Sequence, residues 1–274
     1  MTKQHEGRTD FYSARFAYSD SELAAELRRE VYGEDIGQQN WCTAAERTEI
    51  VNLLGVGQAS HVLDVCCGSG GPSLALVERT GCRLTGLDLE DAGIAYAQSQ
   101  ASARGLADPA TFAVRDCGRA LPYEGGSFDA VLCIDAVSHL RDRFGTLCEW
   151  ARLLHEGGRL VFTDSAVITG PVAKSELDIR TATGFFLFVP PGVDEEAIKA
   201  AGLVLLRRED RTAAIAELAA RWRAVRARYA AALEREEGTD GFERRQRLYA
   251  TAAELARSRR LSRFLYVAEK PTQS

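Results

Sequence analysis

The chain has 274 residues, of which 46% are hydrophobic and 27% charged, enough to bury the core of one large domain. This composition excludes disordered and collagen-like proteins, and no apolar stretch approaches the ~20 residues of a membrane span, so we expect a cytoplasmic protein without a membrane partner. The net charge is −5, yet residues 207–263 contain 15 Arg and 9 acidic residues, a local charge of +6.

Seven cysteines and four histidines are scattered along the chain without the spacing of a metal site or a disulfide framework. Several of the cysteines fall in runs that are typical of buried strands. We therefore predict free, largely buried thiols and no bound metal.

The first 57 residues are predicted to form helices. One helix is expected near Ser21–Val31, after a cap signal at Ser19, Asp20 and Ser21, and a second near 43–54. A glycine-containing segment, residues 32–41, connects them.

Seven short apolar runs rich in β-branched residues follow, and helix-length segments separate most of them. Strands that alternate with helices predict an α/β fold with a mainly parallel sheet covered on both faces. The strands are predicted at 62–65, 84–89, 111–115, 128–135, 160–163, 203–206 and 262–268, and the helices at 71–79, 91–104, 144–154 and 194–201.

Residues 212–258 are also predicted to be helical, because apolar side chains recur every three or four positions from Ile215 to Leu233. The arginines at positions 221, 223, 226 and 228 lie largely off this stripe. We interpret the basic run as a solvated helix face, since a nucleic-acid surface would need interleaved aromatic residues.

A glycine-rich turn, VLDVCCGSGGPS (62–73), leads from the first strand into a helix. Such a turn lets the backbone approach a ligand, and the helix N-terminus offers amide groups. Asp88 ends the second strand, where a carboxylate can accept both hydroxyls of a ribose. Asp116 follows the third strand, and Asp135 lies near the end of the fourth.

In this order the motifs resemble those of the class I S-adenosylmethionine (SAM)-dependent methyltransferases, over roughly residues 46–210 and the last strand. The resemblance implies a Rossmann-like seven-stranded sheet with an antiparallel last strand, SAM as cofactor and S-adenosylhomocysteine as product. One departure is Cys66, which stands where the family's acid-x-Gly-x-Gly-x-Gly pattern has its first glycine. The resemblance assigns the methionine part of SAM to Gly68 and Gly70, the ribose to Asp88 and the adenine amino group to Asp116, with Asp64, Leu89, Cys117 and Ile134 completing the cofactor-binding set.

Two alternatives remain open. Gly68 and Gly70 followed by Asp88 also resemble the turn of an NAD(P)-dependent oxidoreductase, although Ser73 stands in place of its third glycine and the acid Asp64 favours the methyltransferase pattern. The other alternative is a non-catalytic SAM-binding regulator.

Residues 16–41 resemble the lid of phosphoethanolamine and glycine/sarcosine methyltransferases. This implies that Tyr18 and Gln38 reach the methionine end of SAM and that Trp41 helps to close the site. Ordinary packing between helices is an equally good explanation of the aromatic residues. The expected organisation is a helical lid (1–57), a SAM-binding core (58–210), a helical cap (211–260) and a final strand with its tail (261–274).

His139 follows the fourth strand and Asp164 ends the fifth, a pair that looks like the catalytic pair of natural-product sugar O-methyltransferases. By that resemblance His139 is a candidate general base, because an imidazole titrates near neutrality, and Asp164 would orient it. Alternatively, His139 caps the next helix and Asp164 accepts bonds from loop amides.

The acceptor is predicted to be a small molecule, in specialised metabolism. The segment IDAVSHL (134–140) lacks the Asn/Asp-Pro-Pro-aromatic signature of DNA adenine and protein glutamine methyltransferases, and an acidic core disfavours nucleic acid. A Phe cluster at 185–188 either contacts an apolar acceptor or packs the roof of the site. The sequence does not distinguish O-, N- and C-methylation, and a homo-oligomer is possible.

Overall fold

The computed structural model describes residues 21–272, and a seven-stranded sheet lies at its centre. The strands are β1 (His61–Val65), β2 (Arg83–Asp88), β3 (Ala110–Val114), β4 (Phe128–Cys133), β5 (Leu154–Ile168), β6 (Val204–Asp210) and β7 (Leu261–Glu269). They pair in the order β3-β2-β1-β4-β5-β7-β6, and β7 runs antiparallel to both of its neighbours. The predicted Rossmann-like α/β sheet with an antiparallel last strand is confirmed.

Helices cover the sheet and make up the segments predicted as the lid (1–57) and the cap (211–260), names that are kept below for their described parts. Within residues 21–272 they are α1 (Glu22–Tyr32), α2 (Ala44–Leu54), α3 (Gly71–Thr80), α4 (Asp91–Ala103), α5 (Arg143–Leu153), α6 (Lys174–Arg180), α7 (Val193–Ala200), α8 (Thr212–Arg228), α9 (Ala230–Glu237) and α10 (Thr239–Arg257). In the same part of the chain, no helix combines the length and the apolar character that crossing a bilayer requires.

The sheet is apolar on both faces because helices lie on both sides of it. Within β1, Val62 packs into one core cluster, whereas Leu63 and Val65 pack into the other. Alternate side chains of a strand point to opposite faces, so a strand covered on both sides carries mostly apolar residues; within β1 the buried Asp64 is the exception.

A third apolar cluster joins the lid to the cap. It contains Leu27 and Val31 of α1 together with Trp222 of α8 and Tyr249 of α10, all of them buried. The hydroxyl of Ser21 caps α1 by accepting a bond from the amide of Ala24, at 3.1 Å. Burial of this shared apolar cluster therefore holds α1 against the cap helices α8 and α10.

Three strands differ from the predicted bounds by more than one residue; the sixth, predicted at 203–206, is β6 (Val204–Asp210). The predicted fourth strand runs to Asp135, but β4 ends at Cys133, and Asp135 has a φ of +56°, which no extended strand can hold. The predicted fifth strand covers only 160–163, whereas β5 extends over Leu154–Ile168 because it pairs with both β4 and β7.

The prediction that the arginines of the basic run face solvent is wrong for Arg226. Arg221 and Arg228 are exposed, but Arg226 is buried and donates two hydrogen bonds to Glu237, at 2.9 and 2.8 Å. The chain turns back after α8, so α9 brings an acidic partner to a side chain that helical periodicity alone placed outside.

All seven cysteines are free, and four of them are buried: Cys42, Cys82, Cys117 and Cys133.

Candidate active site

A cavity of about 530 Å³ opens at the carboxyl ends of the parallel strands. Its walls come from the loop after α1, the turn after β1, the ends of β2 to β4, and helices α8 and α10. Ligands of doubly wound sheets bind at this edge, where the loops that follow the strands converge.

The glycine-rich turn forms one wall of the cavity. Gly68 lines it, and the amide of Gly68 donates a 2.8 Å hydrogen bond to Asp88 Oδ2. Gly70 lies behind the turn with a φ of +72°, and a Cβ there would stand 2.6 Å from the Cβ of Ala97. Only glycine therefore fits at position 70. Cys66 lines the cavity with a φ of +60°, the left-handed conformation that explains why the family pattern has glycine at this position.

The predicted cofactor residues at the ends of β2 to β4 come together around this turn. The following residues line the cavity: Asp88, Leu89, Asp116, Cys117 and Ile134. Carboxylates at these places can accept hydrogen bonds from hydroxyl and amino groups of a nucleoside.

Asp64, by contrast, does not reach the cavity. It is buried, and the hydroxyl of Ser73 donates a 2.5 Å hydrogen bond to its Oδ2. Burial raises the pKa of Asp64 to about 7. The hydrogen bond from Ser73 lowers this pKa, and the nearby charge of Asp88 raises it by a smaller amount. This hydrogen bond connects Asp64 of β1 to Ser73 at the start of α3.

The loop after α1 closes the cavity from the lid side. Gln38 and Trp41 both line it, while Tyr18 lies outside the described residues. The Gln38 side chain also shapes its own loop: Oε1 accepts from the Ile36 amide at 2.8 Å, and Nε2 donates to the Glu34 carbonyl at 2.9 Å. The loop lies directly on α3, where a Cβ at Gly71 would stand 1.8 Å from the Ile36 oxygen.

His139 lies in a single 3₁₀ turn after β4 and lines the cavity. Its Nδ1 is 2.8 Å from the carbonyl oxygen of Phe185, and its ring meets that of Phe186 edge to face, with centroids 4.3 Å apart. Because a carbonyl oxygen can only accept, Nδ1 carries the proton of the neutral ring, and the lone pair is on Nε2. The next helix, α5, is capped by the Asp142 side chain, not by His139.

The structure does not bring Asp164 to this histidine. Asp164 is fully buried, and its Oδ2 accepts a 2.6 Å bond from Arg143, which also pairs with Asp194. Arg143 in turn donates a 3.3 Å bond to the carbonyl of Leu187. The predicted orienting role of Asp164 is thus replaced by the Phe185 carbonyl, and Asp164 anchors the segment that follows β5.

Aromatic residues from the lid segment and two of the C-terminal helices form a further wall of the cavity. Trp222 and Tyr249 stack with centroids 5.6 Å apart and an interplanar angle of 7°, and Trp41 meets Tyr249 edge to face at 6.3 Å. Arg180 lies over the rings of Trp41 and Phe186, at 5.8 and 5.6 Å from their centroids. Helical spacing marked Trp222 as a core residue, and the sequence resemblances pointed to Trp41 and to the Phe cluster at 185–188, but no sequence signal pointed to Tyr249 or Arg180.

A buried ionic cluster supports the floor of the cavity beside Trp41. Arg263 of β7 donates to Asp135 Oδ1 and to Glu46 Oε1, both at 2.6 Å, and all three side chains are at most 5% exposed. Asp135 Oδ2 accepts the amide of Trp41 at 2.8 Å. Burial raises the pKa of Glu46, an effect that the charge of Arg263 opposes.

In comparisons with known proteins, this chain is similar to methyltransferases. Residues 62–158 match the family model described as a methyltransferase domain. A sterol 24-C-methyltransferase, ERG6B of Gibberella zeae, is 30% identical over 208 residues, which are 73% of this chain and 50% of that protein. The 27-O-demethylrifamycin SV methyltransferase of Amycolatopsis mediterranei is 26% identical over 156 residues, 54% of this chain and 57% of that protein. The chain thus spans about half the length of the curated relatives it matches.

Among solved structures, phosphoethanolamine N-methyltransferase 2 of Haemonchus contortus, in complex with S-adenosylhomocysteine, superposes with a TM-score of 0.80. The superposition covers 95% of this chain and 60% of that one, at 18% identity. At this identity the likeness shows a shared fold.

Proposed function

The chain carries a class I SAM-dependent methyltransferase domain, as its motifs predict, and we propose that it transfers the methyl group of SAM to a small-molecule acceptor. The observation that carries this proposal is one cavity bordered by both the nucleoside-type carboxylates and His139. The family model and the relatives favour a methyltransferase over the oxidoreductase considered from the glycine-rich turn. The rifamycin relative supports a place in specialised metabolism.

The residues around the turn fit SAM. Gly68 exposes backbone to the cavity, and the Gly70 position leaves no room for a side chain. Asp88 and Asp116 offer acceptors for the ribose hydroxyls and the adenine amino group. Gln38, of the lid, would contact the methionine end.

Bound SAM supplies an electrophilic methyl group: the acceptor atom bonds to the methyl carbon while the carbon–sulfur bond breaks, and sulfur keeps the electron pair. The chain contributes alignment of the reacting groups within a cavity lined in part by aromatic side chains. For an acceptor that carries a proton, we assign the general base to His139 Nε2, since the hydrogen bond from Nδ1 to Phe185 orients the ring and leaves the lone pair on Nε2.

Substitution of His139 tests the role of this histidine. His139→Ala is expected to lower kcat by about 10²-fold or more, because proton removal loses its acceptor, while S-adenosylhomocysteine affinity stays within about twofold. His155→Ala is the matched control, because His155 pairs with Asp129 away from the cavity. Full turnover by the His139 variant would exclude His139 as the general base.

Calorimetric titration tests the cofactor itself. S-adenosylhomocysteine is expected to bind and NADH is not, and the reverse result would favour the oxidoreductase. Release of S-adenosylhomocysteine is then measured from SAM with a panel of hydroxylated and amine acceptors. Binding without release from any acceptor would favour the non-catalytic regulator.

A further inference from the structure

The wall of the cavity beyond His139 presents flat aromatic surface that is already in place. Trp222 and Tyr249 are 9% and 8% exposed and lie almost parallel, while Trp41 and Tyr32 meet this pair edge to face. Because each ring is fixed by its neighbours, a planar ligand can stack against them without ordering new side chains.

A buried cation lies in the same wall. Arg180, the last residue of α6, lines the cavity and is 3% exposed, with its guanidinium over the rings of Trp41 and Phe186. A guanidinium stays ionised at any physiological pH, and its planar set of donors matches a carboxylate.

The balance of charge differs between the two ends of the cavity. At the β2–β3 end, three acids, Asp88, Glu90 and Asp116, outnumber one cation, Arg119, which pairs with Asp116. Beyond β4, on the other side of β1, the cations are Arg141 and Arg180, and the two acids are Asp135, which is ion-paired with Arg263, and Asp142, whose side chain caps α5. An anionic acceptor is therefore attracted to the end where Arg180 lies and repelled from the nucleoside end.

We propose that the aromatic wall and Arg180 select an acceptor with a planar aromatic ring and a carboxylate, such as a hydroxylated aromatic acid. This rests on the proposed function, because it assigns the β2–β3 end of the cavity to SAM. The rings recognise the planar body of the acceptor, and Arg180 recognises its charge.

The test is calorimetric titration of the protein saturated with S-adenosylhomocysteine. The probes are 3-hydroxy-2-naphthoate, its uncharged methyl ester, and cyclohexanecarboxylate, which keeps the charge but has no aromatic ring. The naphthoate is expected to bind at least about tenfold more tightly than either of the others. Equal affinity for acid and ester, or for the aromatic and the alicyclic acid, would overturn the proposal.

Variants separate the two contributions. Arg180→Gln is expected to abolish the preference for the acid over the ester, and Tyr249→Leu, which removes one of the two stacked rings, to weaken both naphthalene probes alike. Arg221→Gln, at an exposed arginine of the cap paired with Glu217, is the control and should behave as the unmodified protein. An acid preference that survives in Arg180→Gln contradicts the proposal, and if that variant does not fold, the comparison of acid and ester on the unmodified protein still decides.

Failure of this inference and failure of the proposed function are distinguishable. If S-adenosylhomocysteine itself does not bind, the proposed function fails. If it binds and none of the three probes does, the acceptor class is wrong and the methyltransferase proposal stands.

Discussion

Replacing Arg263 with Met should destabilise the protein far more than the loss of one surface charge would. Arg263 is fully buried and makes two charged hydrogen bonds of 2.6 Å, to Asp135 and to Glu46. Methionine fills a similar volume but leaves both carboxylates buried without their cation. Each charged bond is worth about 1.5–3 kcal/mol and breaking a buried pair costs about 3–5 kcal/mol, so we expect a loss of about 3–5 kcal/mol of unfolding free energy.

The loss should depend on pH with a defined sign. Burial raises the pKa of Glu46, and the charge of Arg263 opposes that rise. Without Arg263 the pKa rises further, so the folded variant holds its proton to a higher pH than the unfolded chain does. Stability from that proton is present at low pH and is lost as the pH rises, so the deficit should be larger near about pH 7.5 than near about pH 5.

Urea unfolding at the two pH values measures the deficit, and a double-mutant cycle with Glu46→Gln assigns it. Glu46→Gln should be less harmful in the Arg263→Met background than alone, with a coupling of about 1–3 kcal/mol. Arg221→Met, at an exposed arginine, is the control and should cost less than about 0.5 kcal/mol. A deficit below about 1 kcal/mol, or one that is equal at both pH values without coupling, would refute the reasoning.

Three further predictions concern the glycine-rich turn and its supports. Burial raises the pKa of Asp64 to about 7 in the folded protein. The protonated carboxyl therefore stabilises the fold at low pH, and that stabilisation is lost as the pH rises from about 4 to about 7. Asp64→Asn should reduce this pH dependence of the unfolding free energy. Gly71→Ala should displace the loop after α1, because the new Cβ would collide with the Ile36 oxygen. Calorimetry should then show S-adenosylhomocysteine binding weakened at least about tenfold. Gly57→Ala is the control, since a Cβ there meets open space, and it should leave binding unchanged. Cys66→Gly should be more stable than Cys66→Ala in urea unfolding by about 1 kcal/mol, because alanine keeps the strain of a positive φ; the opposite order would contradict this.

Local sequence was sufficient wherever a feature depends on neighbouring residues. Strand and helix periodicity, the turn ending at Gly70 and the acid Asp88 at the end of its strand together predicted the sheet and the convergence of the proposed cofactor residues on one cavity. Parallel strands bring their carboxyl ends to one edge, so residues at strand ends converge whatever the loops do.

The same reasoning did not identify the partners of charged residues. Asp164 was predicted to end the fifth strand, but it lies inside β5, and its partner is Arg143, which lies 21 positions earlier, and not His139. The helical spacing of Arg226 is typical of a solvated face, yet Arg226 is buried and forms an ion pair with Glu237 of the next helix. A buried ion pair depends on which distant segment packs there, and a local pattern carries no information about that.

For this protein, the sequence by itself determined the class of fold, the order of the motifs and the place of the proposed cofactor residues, because these follow from hydrophobic period and turn chemistry over short distances. Only the tertiary structure decided the proposed acceptor end of the cavity. Trp41, Arg180, Trp222 and Tyr249 come from the lid, the segment after β5 and two cap helices, and they form one wall only because the apolar cluster between lid and cap is buried on folding.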